Sequence, residues 1–474
     1  MNLAVVRRIA EATIFFVLLV TAVFVVSRVV ERKQSRDLFA GFLEEPEAYD
    51  VLFFGDSQFM NGMLPMEMWE DYGIAGYNLS CYGNVMPTTY WSIINALDYA
   101  TPKLVVLSIN GLNEVHKVSN YSGDLHTAID FWPLTPNKVR MIEDLLYDPE
   151  DPDFSDVSGY VYRELKPEFY FKLGKYHSRW SELTWNDFKT RPDYVKGGEL
   201  LVGLMPIMDY ELVNENAFAE EGGYSYSYLR AAIEECCKRG IEVLLVHMPA
   251  PQYIDSQKHA NTVRSIAEEY EIGFVDTTYM DSIVDYAVDC CDAEPHLNVS
   301  GALKMTAFLS SYIHDHYELP DRRDEVSYLH WNKQLDDYKD MKMELICDQE
   351  ELDYVLMLLH DRDFDVRIAI GPKAIRNFDE QRIILMHNIV RERVLSGEEF
   401  EKWSNFMYPL REFETAVYDE SAYFLHKQEG GFVEWIGEAA HMQALETFER
   451  FEEGDIMIEI IDRRHGKPVK QLCF

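Results

Sequence analysis

The sequence predicts a three-layer α/β domain with a parallel sheet, preceded by an N-terminal transmembrane helix and followed by a smaller α+β or β-rich domain. Three observations predict this arrangement. Between residues 51 and 317, short unbroken apolar runs alternate with amphipathic stretches, which is typical of parallel strands covered by helices on both faces. A long apolar segment lies near the N-terminus. After residue 338, alternating or β-branched apolar runs replace the first pattern.

The domain boundaries follow from these changes of pattern. We expect an anchor with its juxtamembrane link over 1–40, the α/β domain over 41–318, a helical linker over 319–338 and an accessory domain over 339–474. Within the α/β domain, residues from about 115 to 223 are rich in Trp, Tyr, Asp and Pro and show no clear period. We interpret them as a long, partly helical insertion that forms a lid or a substrate wall.

The apolar segment from Ile9 to Val30 favours an uncleaved membrane anchor. Its clean core, 12–27, exceeds the apolar region of a typical signal peptide, and no Ala-x-Ala cleavage site follows. The sequence therefore predicts a single-pass protein of the cell membrane that contacts lipid through this helix. Basic residues flank both ends and leave the orientation open: Arg7 and Arg8 before the segment, and Arg28, Arg32, Lys33 and Arg36 at and after its end.

Composition and charge narrow the class of partner. The formal net charge of −38 argues against binding to nucleic acid, whose phosphates require Lys and Arg. The seven cysteines have no zinc-type spacing, and the vicinal pairs Cys236-Cys237 and Cys290-Cys291 are expected to be small buried residues. A phosphate loop, a dinucleotide fingerprint and a metal-ligand cluster are all missing from the sequence, so we expect no cofactor and no metal.

The α/β pattern places chemically useful residues at strand ends. Strands are predicted over 51–54, 76–79, 104–109, 242–247 and 273–276, and helices over 88–100, 225–239, 253–271 and 299–317. In open parallel sheets, ligands bind outside the carboxyl ends of the strands. Ser57 follows the first strand, Gly83 the second and Asn113 the third, while His296 comes just before the last helix.

Together these residues could supply the parts of a serine nucleophile site. A serine needs a base to take its proton, an acid to orient the base, and donors for the developing oxyanion. Ser57, His296 and a nearby carboxylate fit the first three roles, and Gly83 and Asn113 fit the donors. Each of these residues taken alone also fits an ordinary structural role. Gly55-Asp56-Ser57 is typical of a common turn, and Asn113 could simply be a turn residue.

In this order the motifs resemble the SGNH/GDSL hydrolase superfamily. Gly55-Asp56-Ser57 resembles the nucleophile block, Gly83 the glycine block, Gly111-Leu112-Asn113-Glu114 the Gly-x-Asn-Asp block and His296-Leu297-Asn298 the histidine block. With its anchor, the chain looks most like the membrane-anchored branch that includes DltD-type D-alanyl transfer proteins and alginate-type O-acetyltransferases. The resemblance implies a flavodoxin-like sheet, with Ser57 and His296 as catalytic residues and Gly83 and Asn113 in the oxyanion hole.

The same resemblance implies a function. It points to transfer of an acyl group of the acetyl or D-alanyl class to cell-envelope polysaccharide through an acyl-serine intermediate. The catalytic domain would lie outside the cytoplasm and work with a polytopic membrane acyltransferase. An esterase or deacylase that uses water as the acceptor would employ the same residues, so the sequence leaves this alternative open.

One position departs from the family pattern. The family has an Asp three residues before the His, and here that position is Ala293. A local bulge could bring Asp292, or else Glu294, to His296. Without either carboxylate, the chain would work as a Ser–His dyad or be a catalytically impaired surface binding protein.

Other candidates and the accessory domain complete the predictions. His177, Arg179 and Trp180 in the insertion, and His247 at a strand end, could bind substrate or simply pack. In the accessory domain we expect strands over 341–346, 364–371, 382–390, 415–425 and 455–461, a helix over 351–360 and a hairpin turn over 463–468. Its role could be to bind a glycan or protein partner, or only to stabilise the chain.

Overall fold

The computed structural model describes most of the chain. The described residues are 3–31, 33–45, 48–113, 117–119, 121–147, 162–188, 195–205, 216–250, 254–277, 283–286, 289–352, 355, 361–371, 373, 422–428, 431–452 and 454–474. They form a parallel five-stranded sheet with helices, an apolar N-terminal helix and a separate antiparallel sheet. The predicted α/β class is thereby confirmed, whereas the predicted domain boundaries remain a prediction.

The first sheet is entirely parallel. Its strands are β1 Val51–Phe54, β2 Gly76–Asn78, β3 Leu104–Ser108, β4 Glu242–His247 and β5 Gly273–Asp276. They lie in the order β2-β1-β3-β4-β5, a common order of doubly wound sheets. The chain leaves β1 toward one edge and returns through β3 on the other side, so the carboxyl ends of these two strands flank a natural crevice.

Each face of this sheet is buried by helices, which explains the unbroken apolar runs. Leu52 and Phe54 point into one core, which α5 Met86–Ala96, α10 Gly223–Lys238 and α11 Ile254–Tyr270 cover. Val51 and Phe53 point into the other, which α12 Val299–His316 covers. All four side chains are fully buried, so the strand residues alternate between two apolar layers.

Two short helices follow β1 that the sequence pattern did not predict. They are α3 Ser57–Gly62 and α4 Pro65–Tyr72. Pro65 occupies the first turn of α4, where its missing N–H costs nothing, and Gly73 ends it with φ of 66°. Both helices are shorter than the window over which a helical period becomes visible in sequence.

The N-terminal helix is α1, Leu3–Val30. Its residues Val5–Val30 contain an 18-residue apolar window with a mean hydropathy of 2.6, and this window is not buried in the protein. It is thus long and apolar enough to span a membrane. A second helix, α2 Lys33–Glu44, then places Phe39 and Phe42 in the core of the α/β domain.

The insertion between β3 and β4 packs against the same core. It contains α6 Ser122–Ile129, α7 Pro136–Leu145, α8 Tyr162–Tyr170 and α9 Leu173–Tyr176, then the 3₁₀ turns His177–Glu182 and Trp185–Phe188. Thr135 caps α7 by accepting a hydrogen bond from the Lys138 N–H. Leu125 and Ile142 are fully buried beside residues of the sheet. The described part of the insertion is therefore packed against the core of the α/β domain.

The C-terminal part forms an antiparallel sheet in the order β10-β9-β6-β7-β8. Its strands are β6 Phe364–Ile370, β7 Tyr423–Gln428, β8 Gly431–Ile436, β9 Ile456–Asp462 and β10 Lys467–Cys473, with helices α13 Leu329–Cys347 before it and α14 Glu438–Thr447 within it. The strands predicted over 364–371 and 455–461 and the turn over 463–468 are confirmed. Those over 382–390 and most of 415–425, and most of the helix over 351–360, lie outside the described residues.

The strand predicted over 341–346 is wrong, because these residues belong to α13. Tyr338, Lys342 and Ile346 are buried at helical spacing on one face of this helix. The partners of Tyr338 and Lys342 lie on α4 and in the segment just before β6, and this long-range contact could not be seen in the local pattern.

Candidate active site

Ser57 opens α3 immediately after β1. Asp56 is the N-cap residue of this helix, and its carboxylate accepts a hydrogen bond from the Phe59 N–H at 3.3 Å. Burial raises the pKa of the Asp56 carboxyl, against the lowering effect of that hydrogen bond. Gly55 must be small here, since a Cβ would lie 2.6 Å from the Ser108 Cβ. The motif thus makes a tight turn that lifts Ser57 out of the sheet edge.

Ser57, His296 and Asp292 form a continuous hydrogen-bonded chain. The Ser57 Oγ lies 2.7 Å from the His296 Nε2, and the His296 Nδ1 lies 2.7 Å from the Asp292 Oδ2. Because an ionised carboxylate only accepts, the Nδ1 donates to Asp292, which leaves Nε2 to accept from the Ser57 hydroxyl. His296 is only 7% exposed, so the ring is held in place by its surroundings.

A tight loop corrects the spacing between Asp292 and His296. Cys290 and Leu297 form an antiparallel bridge, and the Cys291 N–H donates to the His296 carbonyl at 2.9 Å. The chain between them reverses, and the Asp292 Oδ1 accepts from the His296 N–H at 3.2 Å. Burial tends to raise the pKa of Asp292, but hydrogen bonds from His296 outweigh it and hold that pKa below its ordinary value.

Of the two carboxylates left open by the sequence, Asp292 is the one that reaches the histidine ring. The side chain of Glu294 makes no contact with this ring in the described part of the chain. Its backbone carbonyl accepts from the Gln58 side chain at 3.3 Å, and Glu294 lines the cleft beside Ser57.

Gly83 lies at the mouth of the site, after β2. Its φ is 60°, and a Cβ there would lie 2.0 Å from the Asp124 Oδ2, so the position requires glycine on both counts. Among the described residues, the backbone N–H groups of Gly83 and Ser57 have no hydrogen-bond partner. Next to Gly83, the Asn84 side chain donates to the Gly55 carbonyl at 3.1 Å and ties the two turns together.

The turn after β3 contributes Asn110 and Gly111 to the site. Asn110 Oδ1 accepts from the Met248 N–H at 2.8 Å, and its Nδ2 donates to the Gln58 side chain. Asn113 ends the 3₁₀ turn Asn110–Asn113, and its side chain lies outside what the structure describes. The predicted role of Asn113 as an oxyanion donor therefore stays a prediction.

These turns enclose an open cleft of about 450 Å³ around Ser57. It is lined by Asp56, Ser57, Tyr82, Gly83, Asn84, Val85, Asn110, Gly111, Ser119, Tyr121, Asp124, Glu294 and His296. Three of these residues are acidic and none is Lys or Arg. A further carboxylate, Glu199, accepts a hydrogen bond from the Tyr82 hydroxyl behind the wall. The lining thus favours neutral or cationic groups over phosphates and carboxylates.

Four of the predicted binding residues lie elsewhere. Arg179 donates to the Val30 and Glu31 carbonyls at the end of α1, and Trp180 beside it is 71% exposed. His177 Nδ1 pairs with the Gly174 carbonyl. His247 is buried at the end of β4, 3.2 Å from the Asp276 Oδ1. None of the four lines the cleft; the first three sit beside α1 because the insertion folds back to that helix.

Several residues of the cleft were not predicted. Tyr82 and Asn84 flank Gly83 at a strand end, and that position was the signal that could have marked them. Ser119, Tyr121 and Asp124 come from the start of the insertion, and no local pattern marks them. Within the described residues, no group of three or more His, Cys, Asp or Glu side chains is arranged to hold a metal ion.

The comparisons with known proteins add little to this geometry. No protein-family model matches the sequence, and no curated protein matches it either. Among solved structures, the chain is similar to a provisionally assigned acylhydrolase from Bacteroides fragilis NCTC 9343. That similarity has 10% sequence identity and a TM-score of 0.28, over 60% of this chain and 99% of the other. A likeness of this size assigns neither a family nor an activity.

Proposed function

We propose that this protein is a membrane-anchored serine acyltransferase of the SGNH type. It would move an acyl group of the acetyl or D-alanyl class onto a hydroxyl of cell-envelope polysaccharide through an acyl-Ser57 intermediate. The proposal includes a domain outside the cytoplasm, held by α1, and a polytopic membrane acyltransferase that supplies the acyl group. These last points come from the motif resemblance and await experiment.

A single observation carries the proposal: Ser57, His296 and Asp292 are linked by two contacts of 2.7 Å. This is the distance at which a histidine can take the serine proton while a carboxylate fixes its tautomer. The arrangement stands at the carboxyl ends of β1 and β3, next to an open cleft that could admit a polymer. Ionised Asp292 also argues against a catalytically impaired site.

The chemistry would run in two halves. In the first, Ser57 Oγ attacks the acyl carbon of the donor, and its proton passes to His296 Nε2. The N–H groups of Ser57 and Gly83 would stabilise the oxyanion, with Asn113 as a third donor. The intermediate collapses as His296 gives the proton to the leaving group. In the second half, His296 deprotonates the acceptor hydroxyl, which attacks the acyl carbon, and the proton returns to Ser57.

The cleft lining supports the choice of acyl group. An acetyl group is neutral and a D-alanyl group carries an ammonium, and neither would be repelled by Asp124 or Glu294. The ring of Tyr121, 60% exposed at the cleft, could stack on a sugar of the acceptor.

A covalent serine probe tests the nucleophile. A fluorophosphonate should label the wild-type chain and should not label Ser57→Ala. Ser119→Ala, which changes another serine of the cleft, is the matched control and should be labelled like wild type. Equal labelling of wild type and Ser57→Ala would contradict the proposal.

A second experiment separates transfer from hydrolysis. The full chain is given an activated aryl acetate, with and without a cell-envelope polysaccharide, and both the acetylated polymer and free acetate are measured. A transferase should acetylate the polymer at the expense of free acetate. Release of free acetate only, with every acceptor tried, would favour an esterase that uses the same three residues.

A further inference from the structure

Three large aromatic side chains are exposed within residues 180–188 of the insertion. Trp180 is 71% exposed, Trp185 82% and Phe188 61%. The rings of Trp185 and Phe188 lie 6.2 Å apart. By contrast, Trp69, Trp132 and Trp331 are fully buried. Exposed tryptophans gathered in one short segment mark a surface that contacts something less polar than water.

The fold fixes this segment beside the last turn of α1. The two 3₁₀ turns His177–Glu182 and Trp185–Phe188 pack against α1. Arg179 Nη1 donates to the Val30 and Glu31 carbonyls at 2.7 Å each, and thereby satisfies backbone acceptors that the helix end leaves open. The Arg179 Nη2 contacts Asp187 Oδ1 at 3.1 Å, which links the two turns. The aromatic residues are therefore held level with the end of α1.

That level is where a bilayer would end. The apolar stretch of α1 runs from Val5 to Val30, so its C-terminal end would reach the boundary between hydrocarbon and water. Trp and Tyr side chains are enriched at this boundary, because their rings combine an apolar body with a polar N–H or O–H group, and Phe188 adds apolar area beside Trp185.

We propose that Trp180, Trp185 and Phe188 form a membrane-contact surface that inserts into the headgroup region of the bilayer crossed by α1. The proposal rests on α1 being a span and does not depend on the chemistry at Ser57. A single span would leave the α/β domain free to tilt, whereas this second contact would hold the cleft at a fixed height and orientation over the lipid.

Charge favours lipid over a second copy of this chain as the occupant. The chain carries a net charge of −38, so most of its surface would repel another copy. Residues 172–188 are an exception, with three cations (Lys172, Lys175 and Arg179) against two acids (Glu182 and Asp187). The preceding residues 28–36 contain Arg28, Arg32, Lys33 and Arg36 against Glu31 alone. Both stretches suit the surface of a membrane.

Tryptophan emission from the full chain in phosphatidylcholine vesicles tests this surface. α1 contains no tryptophan, so quenching by brominated acyl chains does not report on the span itself. Lipids brominated near the headgroup should quench wild type more than lipids brominated near the chain ends. The double variant W180F/W185F should lose most of this quenching. Trp435→Phe, which removes a half-buried ring in β8, is the matched control and should keep it.

Three outcomes would overturn the proposal. The first is bromolipid quenching of W180F/W185F equal to that of wild type. The second is a wild-type chain that shows no quenching, whether or not these rings instead mediate self-association in detergent. Extraction of the vesicles with alkaline carbonate shows separately whether α1 spans: release of the chain into solution would also overturn it, since the surface requires the anchor.

Discussion

At the scale of single residues, the site depends on how Asp292 reaches His296. The two are four residues apart, and the loop between the paired residues Cys290 and Leu297 closes the gap. The carboxylate accepts two hydrogen bonds there, one from the ring Nδ1 and one from the His296 backbone N–H. It therefore sets both the tautomer and the position of the base.

Asp292→Asn should lower kcat by about 10⁴-fold, because an amide can donate to Nδ1 and favour the wrong tautomer. The fold should survive, since an Asn side chain can still accept from the backbone N–H. Turnover of an aryl acetate is the measurement. Glu294→Gln, the neighbouring carboxylate without contact to the ring, should stay within about threefold of wild type for kcat. Equal losses in both variants would contradict this assignment.

Asp124 is the second residue whose charge matters. It lines the cleft, where burial raises the pKa of its carboxyl against the lowering effect of the Ser119 hydroxyl at 2.8 Å. It should attract an ammonium group on the substrate. Asp124→Asn should raise KM about tenfold for an aminoacyl ester and leave kcat nearly unchanged, with no effect on an acetyl ester.

The pH dependence of KM tests the direction of this charge effect. Because the pKa of Asp124 is raised, its charge is lost at a higher pH than that of an ordinary Asp carboxyl as the solution is acidified. The KM of wild type for the aminoacyl ester should therefore rise on acidification and approach that of Asp124→Asn. Asp315→Asn, at an exposed position of α12, should follow wild type. If the KM for the aminoacyl ester changes neither with pH nor in Asp124→Asn, the carboxylate has no part in binding.

The residues of the site differ in whether the sequence alone could predict them. Ser57, Gly83 and His296 follow or precede strongly patterned elements, so their position at a strand or helix end was visible in sequence. Asp292 was left open against Glu294, because a one-residue shift is decided by loop geometry. Asp124 was out of reach, since its closeness to Gly83 is set by the packing of Leu125 and the rest of α6 in the core.

At the scale of elements, helix α13 joins the antiparallel sheet to α4. The Lys342 ammonium is fully buried and lies 2.9 Å from Glu67 Oε1, 3.2 Å from Asp361 Oδ2 and 2.6 Å from Asp363 Oδ2. Burial alone would lower the pKa of Lys342, but these carboxylates hold it well above its ordinary value. The Tyr338 hydroxyl, one turn earlier, donates to the same Glu67 at 3.0 Å.

Lys342→Met should destabilise the chain by about 3–5 kcal/mol, because it removes the buried cation that Glu67, Asp361 and Asp363 share. Denaturant unfolding of the detergent-solubilised chain is the measurement. Lys333→Met, on an exposed position of the same helix, removes an equal charge and should change the unfolding free energy by less than about 0.5 kcal/mol. Similar effects of the two substitutions would show that the buried network contributes little.

The strands of the parallel sheet were predicted best. β1 and β4 have the predicted bounds, since an unbroken apolar run allows few alternatives, and β5 has them as well although it lies at the sheet edge. α13 was mistaken in part for a strand because Lys342 reads as a solvent residue. In sequence, a buried cation and an exposed one look alike, and only the contact of Lys342 with α4 and with the acidic segment before β6 distinguishes them.

At the scale of the whole molecule, this network makes the attachment of the antiparallel sheet sensitive to acid. Residues of α4, which follows the helix bearing Ser57, are bound by Arg362 as well, whose Nη2 lies 2.7 Å from Glu67 Oε2. The parallel sheet and a separate strand-containing C-terminal part could be predicted from the pattern. The contact between them could not, because it is made of charges whose partners lie some 300 residues apart in sequence.

Acidification should weaken this contact between α4 and the antiparallel sheet, here called the joint, by protonating Asp363. Burial tends to raise its pKa, but Lys342 and Lys339 lower it to about 2. A carboxyl with a depressed folded-state pKa stabilises the fold fully above its unfolded-state value, and this stability is lost as the pH falls through the folded-state value. The window therefore runs from about pH 4 down to about pH 2, and the effect is on the order of 2 kcal/mol.

Asp361 changes the stability in the opposite direction on acidification, since burial raises its pKa. The pKa of Glu67 is lowered, so its protonation destabilises the fold as that of Asp363 does. Hydrogen exchange of β6 and β9 should therefore quicken below about pH 4 before that of β1 and β3. In Lys342→Met the carboxylates have lost their buried cation, so exchange at β6 should already be fast at neutral pH and change far less on acidification. If β6 and β3 lose protection together at every pH in both proteins, the joint is not the acid-sensitive part of the molecule.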